Sequence, residues 1–307
     1  MVRKLIGILG YIRLMKKLFL VFAFFTGLGC FSQASFKEIR SALDQGQLET
    51  AKKLLHIRIS GNPEDAVATA YLGDIASFEK DWDTSISLYK SLVQKYPDSA
   101  DYNFKYGAAL GMKALSVSKL QSVIYVSDIK TYLEKTVELD PEHVEARRVL
   151  VELYVKLPGI LGGSISKAKT YADELKDLNE VDFYLAQAFI VKGDEGLEEA
   201  APIFKKAIEV HRELPSHKKR NILNYQLGKI VSDADVYPQY GLKLLNEYIA
   251  NYNYTDIYPL ELAYLGKAKI QAGLNNKKAA IESIDKALTL RSNFKEALME
   301  KKRIQNL

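Results

Sequence analysis

The sequence is poor in the residues that most often carry chemistry. Its 307 residues include one cysteine, Cys30, and four histidines. Cys30 lies so close to the N-terminus that a chain cleaved after Ser32 would retain no cysteine. Disulfide bonds, thiol nucleophiles and zinc–thiolate sites would then be excluded together.

The histidines also lack a pattern that binds metal or performs acid–base catalysis. They are His56, His143, His211 and His217. No two of them have the His-x3-His spacing that places two ligands on one helix face, and neither a His-Glu-x2-His motif nor a Gly-x-Ser-x-Gly elbow occurs. His143 follows Asp140-Pro141 and is expected to be solvated in the first turn of a helix. We therefore expect no enzymatic activity, no catalytic residue, no metal site and no cofactor.

Acidic residues are missing from the first 32 positions, which hold five basic ones. This segment accounts for the formal net charge of +5, because the remainder has 38 basic and 38 acidic residues. A neutral body gives no electrostatic case for a nucleic-acid partner. The short Lys218-Lys219-Arg220 cluster has no interleaved aromatic residues, so we interpret it as a solvated helix start.

The N-terminal segment has the order of a secretory signal peptide. Lys16 and Lys17 precede an apolar stretch at residues 18–25, and small residues follow towards Ser32. The apolar stretch is short for a membrane span. We predict residues 1–32 as a leader, cleaved after Ser32 or Ala34, and export to the periplasm or beyond in a Gram-negative bacterium.

Alternatives remain open for this leader. Cys30 at its end is compatible with lipidation, although Gly27 stands where lipoprotein signals usually have leucine. Met15 has the context of a natural start, which would make residues 1–14 an upstream extension. Those residues would otherwise lengthen the apolar segment into an uncleaved anchor. Membrane contact is expected only through the leader or a lipidated Cys30.

The rest of the sequence contains a degenerate repeat. The dipeptides Leu72-Gly73 and Tyr106-Gly107 are 34 residues apart, and Leu227-Gly228 and Leu265-Gly266 are 38 apart. Apolar residues recur between them at helical spacing. A period in this range indicates stacked helical hairpins.

The clearest unit resembles a tetratricopeptide repeat. It has Leu72-Gly73 in a first helix, Asp81-Trp82-Asp83 at a turn, Tyr89 in a second helix and Pro97 after it. Six further units fit this template with lower fidelity, and residues 294–306 are typical of a terminal capping helix. The resemblance implies an all-α, right-handed superhelical solenoid of about seven helix hairpins over residues 33–307, without strands.

Two irregularities interrupt the repeat. Pro97 and Pro141 are 44 residues apart, ten more than the period, and the surplus around residues 109–128 is helical in composition. It predicts about one extra turn or more on each helix of the third hairpin. The second is a Gly-rich segment at residues 158–164, which lacks the Gly-Lys-Ser/Thr of a P-loop. It is either a nest of N–H groups that binds an anion or, as we favour, a tight turn with Ser164 or Ser166 capping the next helix.

The resemblance also implies the class of function. In tetratricopeptide arrays the first helix of each hairpin lines a concave surface that binds other proteins. The positions expected to contact a partner here are Asp74, Phe104, Arg148, Glu152, Phe189, Tyr225, Lys229 and Lys267. This mixture of aromatic residues and both charges suits an extended peptide or a helix. The Lys/Asn/Arg set that captures a C-terminal carboxylate in some family members is not found.

We therefore expect a non-enzymatic scaffold of the bacterial cell envelope with a protein or peptide partner. Acylation of Cys30 would instead make it an envelope assembly lipoprotein. An enzyme with its site in the third-hairpin insertion or the Gly-rich segment is the remaining alternative. The sequence contains no catalytic motif in either place.

Overall fold

The computed structural model describes residues 35–215, 220–234 and 236–307. Within these ranges there are fifteen α-helices, one short 3-10 helix and no β-strand, which confirms the predicted all-α fold. None of the helices in this part of the chain is long and apolar enough to cross a lipid bilayer. The predicted leader at residues 1–32, with Cys30, lies outside the described residues.

The helices follow one another as hairpins. In chain order they are α1 (Phe36–Asp44) with α2 (Leu48–Gly61), α3 (Ala66–Phe78) with α4 (Trp82–Lys95), α5 (Ala100–Ser116) with α6 (Lys119–Leu139), α7 (Val144–Lys156) with α8 (Ile165–Leu178), α9 (Glu180–Asp194) with α10 (Leu197–Glu213), α11 (Asn221–Ala234) with α12 (Pro238–Ala250), α13 (Leu260–Gly273) with α14 (Lys277–Leu290), and α15 (Lys295–Gln305) alone. Seven hairpins and a terminal helix are the number that the repeat predicts.

The described residues form two compact units, which divide between Thr69 and Ala70 within α3. In the first unit α1 and α2 pack on each other and bury Ile39, Leu43 and Leu55. The guanidinium carbon of Arg58 lies 3.9 Å from the centre of the Phe36 ring. Burial of these apolar side chains makes the main favourable contribution to the folding free energy of this small helix pair.

In the second unit, small residues let the two helices of a hairpin approach closely. A Cβ atom at Gly73 of α3 would lie only 2.5 Å from Cε1 of Tyr89 of α4. The glycine therefore makes room for the tyrosine ring, which is 2% exposed. This steric requirement explains why a Leu-Gly pair recurs in the sequence, because any larger residue would push the helices apart.

Short polar side chains begin the helices at the turns. The carboxylate of Asp81 accepts a hydrogen bond from the Thr84 N–H at 3.2 Å and caps α4. Ser99, after Pro97, accepts from the Tyr102 N–H at 3.4 Å and caps α5. These groups satisfy backbone donors that have no partner within the helix itself.

The third hairpin has the predicted extension. Helix α5 has 17 residues and α6 has 21, whereas α3 has 13 and α4 has 14. At the extended end Leu115, Leu120 and Ile124 are 74%, 85% and 73% exposed, whereas Ile129 further along α6 is buried. The extension therefore projects from the packed helices and does not thicken the core.

Helix α15 covers the last hairpin. Phe294, Ala297 and Ile304 are buried against a cluster that includes Leu265 and Ile284. The opposite side of α15 carries lysine and glutamate side chains. The predicted capping helix is confirmed by this division between an apolar inner side and a charged outer side.

Candidate functional site

The first helices of hairpins two to seven share one face of the second unit, which we call the first-helix face. Side-chain contacts join each of these helices, or a residue at its N-terminus, to the next. Asp74 of α3 accepts hydrogen bonds from the Lys105 ammonium of α5 at 2.6 and 2.9 Å. The ring of Phe104, also on α5, lies 4.5 Å from the ring of His143 at the start of α7.

The contacts continue along the later hairpins. Arg148 of α7 donates to Asp182 of α9 at 3.4 Å. Arg220, the residue before α11, also donates to Asp182. Asp233 of α11 forms an ion pair with Lys269 of α13 at 3.3 Å. The row of contacts therefore extends from α3 to α13 and marks the face as continuous.

Asp74 has structural partners at the start of the face. In addition to the Lys105 ammonium, the Tyr89 hydroxyl donates a hydrogen bond to Oδ1 of Asp74 at 2.6 Å. Burial, followed by the Asp74 charge, raises the pKa of Tyr89, so the phenol remains a donor. Burial also raises the pKa of the nearby Asp101, although Lys105 opposes this. Asp74 was predicted as a partner contact, and the structure shows that it links α3, α4 and α5.

Four charged residues meet at the middle of the face, and we call them the central charged cluster: Glu145, Arg148, Asp182 and Arg220. The Asp182 side chain is 4% exposed and accepts from both guanidinium groups, while Arg220 also donates to Glu145. Burial raises the pKa of Asp182, against the effect of the two arginines. The buried Nε atoms of Arg148 and Arg220 have no hydrogen-bond partner among the described residues.

Glu152 and Phe189 lie beside this cluster. The Glu152 carboxylate pairs with Lys156 at 3.0 Å and with Arg148 at 3.9 Å. The Lys156 ammonium lies 5.2 Å from the centre of the Phe189 ring, and both Phe189 and Phe104 are only partly buried. The structure thus places four predicted residues, Phe104 included, on three successive first helices.

The placement of Tyr225 differs from the prediction. We expected this ring to line the groove, but it is 3% exposed and belongs to the core. Its centroid lies 4.3 Å from that of Tyr258 and 5.3 Å from that of Tyr248. Tyr258 lies in the connection after α12, and helical spacing within α11 gives no information about a ring that comes from there.

Lys229 and Lys267 lie further along the face. Lys229 is exposed and pairs with Asp233 of the same helix at 2.6 Å. Lys267 of α13 is partly buried, and burial followed by the charge of Lys286 lowers its pKa. Neither side chain has a described contact with the central charged cluster.

The second half of the Gly-rich turn uses its backbone N–H groups within the chain. The N–H groups of residues 161–164 all donate to backbone carbonyls of the turn or of α7, at 2.9 to 3.1 Å. Ser164 accepts from the Lys167 N–H at 3.2 Å and caps α8. These bonds confirm a tight turn with Ser164 as the cap of α8, and the N–H groups of residues 161–164 are already bonded within the chain.

Two further expectations need correction. His143 is not solvated, because its Nδ1 accepts from the Ala146 N–H at 3.2 Å and its ring packs on Phe104. Arg220, the described member of the basic cluster, is not a solvated helix start, because it pairs with Asp182 and Glu145. Across the described part of the chain, no three side chains converge as metal ligands.

Comparisons with known proteins agree with this architecture. Residues 36–100 match the family model described as Tetratricopeptide repeat. A tetratricopeptide repeat protein from Parabacteroides merdae has a similar structure, with a TM-score of 0.51, 16% identity and coverage of 88% of this chain and 96% of that one. This likeness shows the fold. No curated protein matches the sequence.

Two other solved structures give weaker matches. Yeast Tom70 is 14% identical, with a TM-score of 0.49 and coverage of 84% of this chain and 58% of that one. YrrB, described as a TPR protein with an unusual peptide-binding site, is 16% identical. Its TM-score is 0.35, and coverage is 70% of this chain and 97% of that one.

Proposed function

We propose, from the premise that this chain is a tetratricopeptide repeat protein, that it is a non-enzymatic scaffold whose first-helix face binds another protein. The observation that carries the proposal is the continuous row of side chains from α3 to α13. At its centre, the Phe104 ring packs on His143, and the Phe189 ring lies beside Lys156. Glu152 joins Lys156 to Arg148 of the central charged cluster. Aromatic and arginine side chains are the residues that most often dominate binding energy at protein interfaces.

The chemistry of the face favours an extended peptide or an amphipathic helix as ligand. The partly buried aromatic rings offer apolar contact area, while Glu152 and Lys156 offer one charge of each sign beside them. A partner with alternating apolar and charged side chains would match both features.

We place this scaffold in the cell envelope, exported through the predicted leader. The support is the order of basic, apolar and small residues before Ser32. Mass spectrometry of the mature N-terminus tests this directly. We expect a chain that begins just after Ser32 or Ala34. An intact Met1 or Met15 on a cytoplasmic protein would refute export, and an acylated Cys30 would identify an anchored lipoprotein.

The binding face is tested with a captured partner and two matched variants. The full chain, tagged at its C-terminus, is used to isolate partners, and their affinity is then measured. We expect Phe189→Ala to weaken binding about 30-fold, as for an anchor worth about 2 kcal/mol. Ile160→Ala is the control, because Ile160 is exposed on the Gly-rich turn and belongs to none of the first helices.

The result is interpretable only if both variants keep the helical circular-dichroism spectrum of the wild type. Equal affinity of the Phe189→Ala variant and the wild type would move the site away from the centre of the first-helix face. A loss of affinity in the Ile160→Ala variant alone would assign binding to the Gly-rich turn.

A further inference from the structure

The connection between α12 and α13 is unusually long. It has nine residues, 251–259, whereas four residues connect each of the pairs α2–α3, α4–α5, α6–α7 and α14–α15. We call it the 251–259 loop. It contains Tyr252, Tyr254 and Tyr258 together with Asp256. Inter-hairpin turns need only a few residues, so the extra length requires another explanation.

The loop has a defined conformation. The buried Asp256 carboxylate accepts from the Asn253 N–H at 2.9 Å and from the Asn221 side-chain amide of α11 at 3.0 and 3.1 Å. The Tyr248 hydroxyl of α12 donates to the Tyr258 carbonyl. The bonds of Asp256 and Tyr258 fix the loop to both helices of the sixth hairpin.

One end of the loop covers part of α11 on the first-helix face. The Tyr258 ring stacks on Tyr225 of α11, and its hydroxyl accepts from the Gln226 amide at 3.4 Å. Burial raises the pKa of Tyr258. Glu152 and Arg148 of α7, two hairpins earlier, lie close enough to influence that pKa electrostatically.

The other end reaches a still earlier hairpin. The Tyr252 ring lies 5.7 Å from the ring of Phe78, centroid to centroid, although the two residues are 174 positions apart in sequence. Phe78 is the last residue of α3. The loop therefore touches the first helices of hairpins two and six and lies near that of hairpin four, which is how a ligand would engage several repeats.

We propose that the 251–259 loop is an internal ligand of the first-helix face, and that the protein partner carries a segment of the same chemistry, tyrosines flanking a carboxylate, which displaces it. The inference rests on the proposed scaffold function. The Nε atoms of Arg148 and Arg220 are buried and have no hydrogen-bond partner within the described residues. A segment that displaced the loop and reached them could satisfy these donors with its carboxylate.

A tethered ligand lowers the apparent affinity of any competitor for the same site, because it is present there at a high effective concentration. A short loop experiences an effective concentration of about 1 mM at its own site. If the free segment binds the vacant face with a Kd of about 10 μM, the covered face binds a competitor about 100-fold more weakly. Removal of the loop should therefore reveal a strong gain in affinity.

The test uses a synthetic peptide of residues 250–260 as the probe. Its binding is measured by fluorescence anisotropy to the full wild-type chain and to a full-chain variant in which residues 252–258 are replaced by glycine and serine. We expect the variant to bind the peptide at least 10-fold more tightly than the wild type, and a scrambled peptide to bind neither. Equal affinity for both chains, or no binding to a folded variant, would overturn the proposal.

Single substitutions keep the test informative if loop replacement destabilises the core around Tyr225. Tyr252→Ala leaves the stacked Tyr258 in place and should strengthen peptide binding several-fold. Ile257→Ser is the control, because Ile257 in the same loop is 51% exposed, and it should bind like the wild type. Equal peptide affinity of the Tyr252→Ala variant and the wild type would contradict the proposal.

The two proposals fail separately. If Phe189→Ala weakens partner binding as expected while the peptide binds no variant, the scaffold proposal stands and the internal-ligand proposal is wrong. If the loop variants bind the peptide more tightly than the wild type while Phe189→Ala leaves partner binding unchanged, the loop covers a binding site but the partner binds elsewhere.

Discussion

Gly163 sits where the turn between α7 and α8 has no room for a side chain. A Cβ atom there would lie 1.8 Å from the carbonyl oxygen of Leu157, and backbone cannot yield as a flexible side chain does. We expect Gly163→Ala to lower the free energy of unfolding by roughly 2 kcal/mol or more. Urea unfolding followed by circular dichroism measures this.

Gly159 provides the matched control in the same turn. No atom lies within 4 Å of a Cβ built on it, so Gly159→Ala should change stability by less than about 0.5 kcal/mol. Equal losses in the two variants would show that the Gly-rich turn is sensitive to flexibility and not to space.

Asp233 makes stability depend on pH. Burial raises the pKa of Asp233, but its hydrogen bonds and ion pairs with Lys229 and Lys269 outweigh burial and bring it below the usual value. A carboxyl group with a lowered folded pKa stabilises the fold above its unfolded pKa, about 3.9. This stabilisation is lost as the pH falls through the folded pKa.

We therefore expect Asp233→Asn to lower the free energy of unfolding at pH 7 by about 0.5 to 1 kcal/mol, the value of a partly exposed ion pair. The difference from the wild type should shrink as the pH falls below about 3.9. Urea unfolding at pH 7, 4 and 3 checks this, and a difference that stays constant with pH would contradict it.

At the scale of the element, helix α6 combines a core segment with a projecting one. Ile129 is 3% exposed and Ile124, little more than one turn earlier, is 73% exposed. We expect Ile129→Ala to cost about 2 to 4 kcal/mol through a lost contact and a cavity. Ile124→Ala should cost less than about 0.5 kcal/mol.

The two substitutions remove the same atoms from the same helix, so any difference in chemical denaturation reports the environment alone. A large loss of unfolding free energy in the Ile124→Ala variant would contradict this and would mean that the side chain of Ile124 is buried in solution, for example by self-association.

At the scale of the whole molecule, the last hairpin depends on its terminal helix. Removal of residues 294–307 would expose apolar side chains that α15 covers, among them Leu265 and Ile284. We expect this truncation to lower Tm by more than about 5 °C and to promote self-association, because an uncapped repeat exposes an interface meant for another repeat.

Removal of Asn306 and Leu307 alone is the control, because both are exposed and lie beyond the end of α15. Scanning calorimetry and light scattering should show wild-type behaviour for this shorter truncation. An unchanged Tm in the longer truncation would show that α15 does not stabilise the last hairpin.

The sequence by itself determined the hairpins, because their rules are local. Gly73 must be small where Tyr89 packs on it, and Ser99 caps the helix that begins at the next residue by accepting from the N–H of Tyr102. The surplus before Pro141 lengthens two helices that pair with each other. Each rule involves residues within one hairpin or its turn, so a repeating pattern along the chain is enough to reveal it.

Only the tertiary structure decided what lies on the first-helix face. Arg220 joins Asp182 across 38 positions, Tyr258 covers Tyr225 across 33, and Tyr252 meets Phe78 across 174. These contacts depend on how successive hairpins are rotated and on the course of a long loop, and neither leaves a period in the sequence. The repeat pattern therefore selected residues of the first helices. Whether each one meets solvent, an ion pair or the loop was set by side chains far away in the chain.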